Sequence, residues 1–290
     1  MPSAICMSVS IGRPILLTLQ GIPSTAMKKL SVASLLWLVV TGASTPDDFC
    51  GISNTTFSSG EVIDFKVFYS VIGIYVDAGD ARFTVDREQL NGKPVYHIVG
   101  VGNSNPRYDW IFKVRDKYQS YIDTSTLRPY RFIRNVYEGG YTIFEDVAFD
   151  PKANIAESKK GRYSVPPCVQ DVLSAIYYAR NIDFDRYKPG DKIPFSMFID
   201  NEVYNLFIRY LGKEVVKTRY GRYNAIKFRP LLIKGTLFEG GEKMTVWVSD
   251  DRNHVPLRIE SPITVGSVKV DMKGYANLRH PFSSKIAESR

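Results

Sequence analysis

Apolar and polar side chains alternate with period two along most of the chain from residue 57 onward. Ile63, Phe65, Val67, Tyr69 and Val71 alternate with Asp64, Lys66, Phe68 and Ser70. Tyr204, Leu206, Ile208 and Tyr210 alternate with Asn205, Phe207 and Arg209, and Val268, Val270 and Met272 with Lys269, Asp271 and Lys273. Successive side chains on a strand point to opposite faces, so the pattern predicts antiparallel strands with one face buried and one largely wet. Asn91-Gly92, Gly139-Gly140 and Gly240-Gly241 lie between such runs. They predict hairpin tips, because tight two-residue turns need positive φ.

One segment follows the helical period instead. After Pro166-Pro167-Cys168, apolar residues recur at Val169, Val172, Leu173, Ile176 and Tyr177, the i, i+3, i+4, i+7, i+8 spacing of one helix face. Asp171 near the start and Arg180 near the end suit the helix dipole. The spacing predicts a helix over 169–181 whose stripe packs on a curved sheet. Lys188-Pro189-Gly190-Asp191 then turns the chain into further strands. The expected fold is mainly β, a curved antiparallel sheet or open, incomplete β-barrel of two strand-rich halves with one packed helix. Tyr121-Ile122-Asp123 leading to Pro129 and Arg131 echoes Trp247-Val248-Ser249-Asp250 leading to Pro256 and Arg258. Each proline opens a strand, where its missing donor does little harm.

The N-terminal residues carry an export signal. Met27-Lys28-Lys29 is a basic start, Leu30 to Val40 an apolar run broken only by Ser31 and Ser34, and Thr41-Gly42-Ala43 a set of small residues suited to signal peptidase. The run is too short to span a bilayer comfortably. A single anchor from Ile15 to Val40 would be interrupted by Gln20, Gly21, Pro23, Lys28 and Lys29. Translation is therefore expected to start at Met27. Residues 1–26 are then a mis-called upstream extension, 27–43 the signal peptide, 44–56 a lead-in, 57–280 a single β-rich domain and 281–290 a tail. Cys50 follows Asp47-Asp48-Phe49, which is not a lipoprotein context. The mature chain is expected in the periplasm or elsewhere in the bacterial envelope, with no transmembrane anchor.

Export changes what composition means. Residues 44–290, about 245 in all, suffice to bury a sizeable core. The 18 Tyr and 16 Phe set the chain apart from disordered sequences. The net charge of +8 includes Arg13, Lys28 and Lys29 in the removed segment, so the remaining basicity points only weakly to anionic partners. Cys6 leaves with the extension, and Cys50 and Cys168 remain. In an oxidising compartment that pair suggests one disulfide from the start of the mature chain to the middle of the fold. Two buried free thiols are the alternative.

Several stretches resemble a bacterial exported family, domain of unknown function 3108. They are Gly60-Glu61, the Ala78-Gly79-Asp80-Ala81 turn, Asp116-x-Tyr118-x-x-Tyr121-Ile122-Asp123, the run from Cys168 to Ala175, and Pro189-Gly190-Asp191. The resemblance covers roughly residues 57–280 and implies no known activity. The acidic-turn-then-proline hairpins are also similar to those of the lipoprotein-carrier half-barrel, an open sheet closed by helices around an apolar groove.

Familiar catalytic machinery is missing from the sequence. Gly92-Lys93 and Gly212-Lys213 lack the remainder of a nucleotide-binding loop. His97, His254 and His280 show no metal spacing, and His97 reads as a satisfied strand histidine. Gly102-Asn103-Ser104-Asn105 is not a nucleophile elbow. The adjacent carboxylates Glu145-Asp146 and Asp250-Asp251 point to opposite faces of a strand, so neither pair forms a dyad. No catalytic residue, cofactor or metal is expected.

The densest polar constellation runs from Arg107 to Arg134. Within it Asp109, Trp110, Arg115, Asp116, Tyr118, Tyr121 and Arg131 are candidate ligand-binding residues. Basic groups interleaved with aromatics suit glycans or anionic headgroups, and export makes nucleic acid a poor partner. Cross-strand ion pairs on a wet face are the plainer reading of the same residues. The expected function is a non-enzymatic binder of an amphipathic or anionic ligand, whether lipid, lipoprotein or glycan. An envelope hydrolase acting on glycan or lipid, and a structural partner in an envelope complex, are the alternatives.

Overall fold

The computed structural model describes residues 50–71, 74–233, 240–263 and 266–287. The expected upstream extension and signal peptide lie outside the described residues. The alternating runs become strands. They are β1 (Val62–Val71), β2 (Ile74–Leu90), β3 (Lys93–Ser104), β4 (Arg115–Asp123), β5 (Pro129–Glu138), β6 (Tyr141–Asp150), β7 (Ile155–Ser158) and β8 (Gly161–Ser164). After the helix α1 (Val172–Ala179) come β9 (Lys192–Ile199), β10 (Glu202–Thr218), β11 (Gly221–Pro230), β12 (Thr245–Ser249), β13 (Pro256–Pro262), β14 (Ser267–Ala276) and β15 (Lys285–Ile286).

Two antiparallel meanders share one sheet. β1 to β8 follow one another in order, β9 to β14 do likewise, and β1 pairs with β14 to join them. β15 adds to β11. The outermost strands, β8 and β9, do not pair with each other in this order. Laid flat, such a sheet would be roughly 60 Å wide. It curls instead, so that Phe198 on β9 packs 6.0 Å from Phe149 on β6 and 5.4 Å from Tyr163 on β8. Ser158 Oγ reaches Asn201 Oδ1 across the same gap at 2.5 Å. The result is a curved, barrel-like sheet whose edges meet through side chains.

Hairpin chemistry sets the registers. Asn91 and Gly92 take φ of 51° and 75° between β2 and β3, and Gly139 and Gly140 take 57° and 97° between β5 and β6. Gly240-Gly241 differs from expectation. Gly241 exchanges backbone hydrogen bonds with Leu232 at 2.9 and 3.1 Å. It therefore stands on the returning arm of a longer β11–β12 connection and is not the tip of a tight turn. The two echoing stretches are the β4–β5 and β12–β13 hairpins, opened on their second strands by Pro129 and Pro256.

The chain passes from β8 to β9 through α1, which is shorter at both ends than the apolar spacing predicts. Cys168 has φ of 59°, and the backbone of Gln170 is already engaged by β9, through Gln170 N to Ser196 O and Phe198 N to Gln170 O, both 2.9 Å. The helix can start only after Asp171. That residue is the N-cap, with its carboxylate on Ser174 N at 2.8 Å and Ser174 Oγ accepting from Asp171 N at 2.8 Å. Ser120 on β4 donates to the same carboxylate at 2.6 Å, which fixes the helix against the sheet. Cys168, just upstream, is disulfide-bonded to Cys50.

Candidate functional site

Eight helical residues extend about 12 Å, far less than the concave face of so wide a sheet. The helix covers part of that face and leaves a groove beside it. Alternation puts residues two apart on the groove wall: Ile63 and Phe65 from β1, Ala81 and Phe83 from β2, Phe195 and Met197 from β9, Leu206 and Ile208 from β10. β11 and β12 add Phe228 and Pro230, then Val246 and Val248. α1 presents Val172, Ala175, Ile176 and Ala179. The small side chains explain why space remains, because Ala81, Ala175 and Ala179 stand where a leucine or phenylalanine would close the core. The cavity measures about 200 Å³. An apolar cavity of about 150 Å³ in another protein stays dry and accepts benzene.

Among the residues that line it, only Tyr177 and Arg180 carry polar side-chain atoms. Neither offers a free charge. Arg180, expected at the helix end to complement the dipole, turns inward. Its Nη1 and Nη2 donate to the Glu61 carboxylate at 2.6 and 2.9 Å, and Nε and Nη2 donate to Asn253 O at 3.2 and 3.0 Å. The guanidinium lies against the edge-packed rings of Phe57 and Tyr177, 5.6 and 5.0 Å from their centroids. Burial, reinforced by the Glu61 charge, pushes the Tyr177 phenol well above its usual range, so it stays neutral. The groove is thus apolar, with one neutralised ion pair at its end.

The seven residues singled out in the sequence lie elsewhere. Asp109 accepts from Arg115 Nη2 at 2.5 Å and from Ser104 Oγ, and these bonds hold its carboxyl below the usual range. Trp110 beside them is 83% exposed. Tyr118 is buried against Phe132, 6.2 Å between ring centres. Tyr121 stacks on His97 at 4.2 Å, and His97 Nδ1 meets Glu88 Oε1 at 2.8 Å. Arg131 forks onto Asp146 at 2.9 and 2.6 Å. Charge density in the sequence gathers residues that the sheet distributes over both faces, and none of them lines the groove. The groove's own signal is fainter: alanines at 175 and 179, one turn apart on a helix, and Ala81 opposite Phe65 in the β1–β2 register.

Asp116 faces inward beside Glu138, and both are buried. Burial first, then the neighbouring Glu138, pushes the Asp116 carboxyl up to about 8. The folded chain keeps that proton where the unfolded chain, titrating near 4, has lost it. The folded state therefore binds more protons across that window, and its stability falls as pH rises through it. Asp116→Asn removes the titration. Between about pH 5 and about pH 8 it should gain on the native protein by more than about 1 kcal/mol. Urea midpoints at the two pH values measure this, and an unchanged difference between the proteins would contradict it.

No curated protein matches this sequence. Among solved structures, the chain is similar to a β-barrel-like protein of domain of unknown function DUF1849 from Brucella abortus. The identity is 8%, with a TM-score of 0.47, covering 75% of this chain and 97% of that one. It is also similar to a protein from Bacteroides fragilis described as exported with a YmcC-like fold, at 10% identity and TM-score 0.31, covering 77% and 98%. A third, from Parabacteroides distasonis and described as a lipoprotein, has 14% identity and TM-score 0.36, covering 77% and 100%. Residues 64–273 match the family described as Protein of unknown function (DUF3108), and the chain belongs to that family.

Proposed function

We propose that this chain is an exported, non-enzymatic envelope protein that holds the apolar chain of a lipid or lipidated molecule in the groove beside α1. The observation that carries this reading is the groove itself, about 200 Å³ of space walled by paired apolar residues from six strands. Ligand sites are typically preformed, concave and mostly apolar. Among the described residues the only charged side chain in the wall is matched by Glu61, so the wall favours a neutral hydrocarbon over a glycan. A hydrolase would need acidic groups converging on the site, and among the described residues no Asp or Glu lines it. The Cys50–Cys168 bridge fits an oxidising compartment. No helix among the described residues is long and apolar enough to cross a membrane.

Protein recovered from its native envelope and examined by native mass spectrometry is expected to carry an adduct of lipid mass. Ala175→Leu places three further carbon atoms in the groove at little cost in helix propensity. Displacing about two methylenes of a bound chain should weaken binding at least about tenfold. An adduct kept at full occupancy in the variant, or no adduct in either protein, would count against the proposal.

A further inference from the structure

Antiparallel neighbours reverse direction, so successive connections alternate between the two ends of the sheet. The β1–β2, β3–β4, β5–β6 and β7–β8 connections therefore share one end. The pairing of Ser70 with Ser267 brings the β13–β14 connection to it as well. Backbone bonds stitch this end into a rim. Asn105 N donates to Ala78 O at 2.8 Å and Gly139 N to Lys113 O at 2.9 Å, which ties the β3–β4 loop to the strands on either side. Phe112 from that loop lies so close to Gly139 that a β-carbon there would fall 2.3 Å from its ring.

Exposed apolar side chains gather on this rim. Among the described residues ten large hydrophobic side chains are exposed, and seven are here. Ile74 (69%) and Tyr75 extend from β1–β2, Trp110 (83%) and Ile111 from β3–β4, Tyr137 and Tyr141 from β5–β6, and Phe144 lies beside them. The opposite end shows only Val215 and Tyr275, and Ile176 belongs to the groove. The charges on the rim are sorted too. Among the described residues its acids, the exposed Glu202 apart, are turned inward or matched: Asp77 by Lys66 at 2.8 Å, Asp109 by Arg115, Asp200 by Arg134, Glu242 by Arg209, and Glu138 beside buried Asp116. Its bases, Arg107, Lys113, Lys159 and Lys160, are exposed. Lys113 lies over Tyr137 and Lys159 over Phe144, at 5.8 and 5.4 Å from the ring centres.

Trp, Tyr and aliphatic tips interspersed with Lys and Arg are what the headgroup region of an anionic bilayer accepts. A protein partner would call for one contiguous, shaped apolar core. Here the apolar groups sit on separate tips, and those of β1–β2 and β5–β6 are roughly 20 Å apart by strand spacing. We propose that this rim is a membrane-docking surface, with Trp110 and Ile74 entering the headgroup layer of an anionic lipid bilayer. Docking needs the rim alone, so an empty groove would leave it intact, and a filled groove would not establish it.

The test is flotation of the exported protein with vesicles of phosphatidylcholine containing phosphatidylglycerol, and with phosphatidylcholine alone. Binding is expected to favour the anionic vesicles and to weaken as salt rises. Trp110 emission should shift to the blue, a change that Trp110→Phe removes; Trp247 is buried and should contribute little. Ile74→Ser with Trp110→Ser should lower the partition at least about tenfold. Lys113→Ala and Lys159→Ala should each cost about fivefold, on anionic vesicles only. Val215→Ser, at the far end, should match the native protein. All the substitutions are at exposed positions, so melting curves are expected to overlap, and comparing variant with native cancels any contribution of residues 1–49. Equal partition of native and double variant would overturn the proposal. So would concentration-dependent self-association, lost in the double variant, without vesicle binding, since that would make the rim a contact between copies of the chain.

Discussion

Replacing Glu61 by alanine is expected to destabilise the fold by about 3–5 kcal/mol, because it strands a buried guanidinium. Glu61 and Arg180 are 1% and 2% exposed, so water cannot take over the role of the lost partner. The pair also connects parts of the chain that are remote in sequence. Glu61 precedes β1, Arg180 caps the C-terminus of α1, and Asn253 in the β12–β13 turn supplies the carbonyl that accepts from the same guanidinium. The next residue, His254, places Nδ1 2.6 Å from Arg180 O, and burial lowers its pKa, so a neutral ring donates there. Losing the carboxylate should therefore loosen the lead-in, the helix end and this turn together. Removing both charges is a different experiment. A Glu61→Met/Arg180→Met variant should recover most of the loss, since a matched buried pair contributes little net stability over well-packed apolar groups. Chemical denaturation of the single and double variants measures this. A Glu61→Ala protein within about 1 kcal/mol of native would show that the pair does not hold the helix end.

Removal of the disulfide is expected to be nearly as costly. Cys50 and Cys168 are separated by 118 positions. Closing so long a loop in the unfolded chain contributes up to about 5 kcal/mol on the chain-entropy estimate, and about 2–4 kcal/mol is typical of natural bridges. The folded state should tolerate the loss locally, because the lead-in has other anchors. Ile52 N donates to Tyr178 Oη at 3.2 Å, Thr55 N to Asn181 Oδ1 at 2.6 Å, and Phe57 is fully buried in the core. A Cys50→Ala/Cys168→Ala variant should thus keep the native circular dichroism while its denaturation midpoint falls, and reductant should lower the native midpoint alike. A shift below about 1 kcal/mol would indicate that the unfolded chain is held compact by something other than the bridge.

Much of this architecture was legible in the alternating pattern. Ile63/Phe65, Leu206/Ile208 and Val270 are inward residues of the sequence pattern, and all line the groove. Asn91-Gly92 and Gly139-Gly140 announce their hairpins because positive φ is a local demand. The cysteine pair is what the sequence leaves once Cys6 is assigned to the expected leader, and Cys50 and Cys168 are bridged. What periodicity cannot supply is competition for backbone groups. Gln170 falls within the stretch that the apolar spacing marks as helical, yet its N–H and C=O are claimed by β9, so the helix starts two residues later. Nor does spacing distinguish an arginine that complements a helix dipole from one that turns inward, because Glu61 is 119 residues from Arg180.

The groove's place beside α1, and the rim, escaped the sequence for related reasons. Charge density directs attention to Arg107–Arg134, where opposite charges on neighbouring strands satisfy one another, as Arg131 and Asp146 do. An apolar site announces itself by missing volume, and the volume is missing only once α1 faces β1, β2 and β10 with alanines in between. The rim depends on topology, since Ile74, Trp110 and Tyr141 share no local pattern until alternating connections bring them to one end.

The groove beside α1 is proposed to hold an apolar chain. A delipidated sample titrated with a fluorescent fatty-acid analogue tests it most directly. Saturable binding at one site is expected, weakened at least about tenfold in Ala175→Leu while the variant melts no lower than native. The absence of saturable binding, or binding of equal strength in the two proteins, would contradict it.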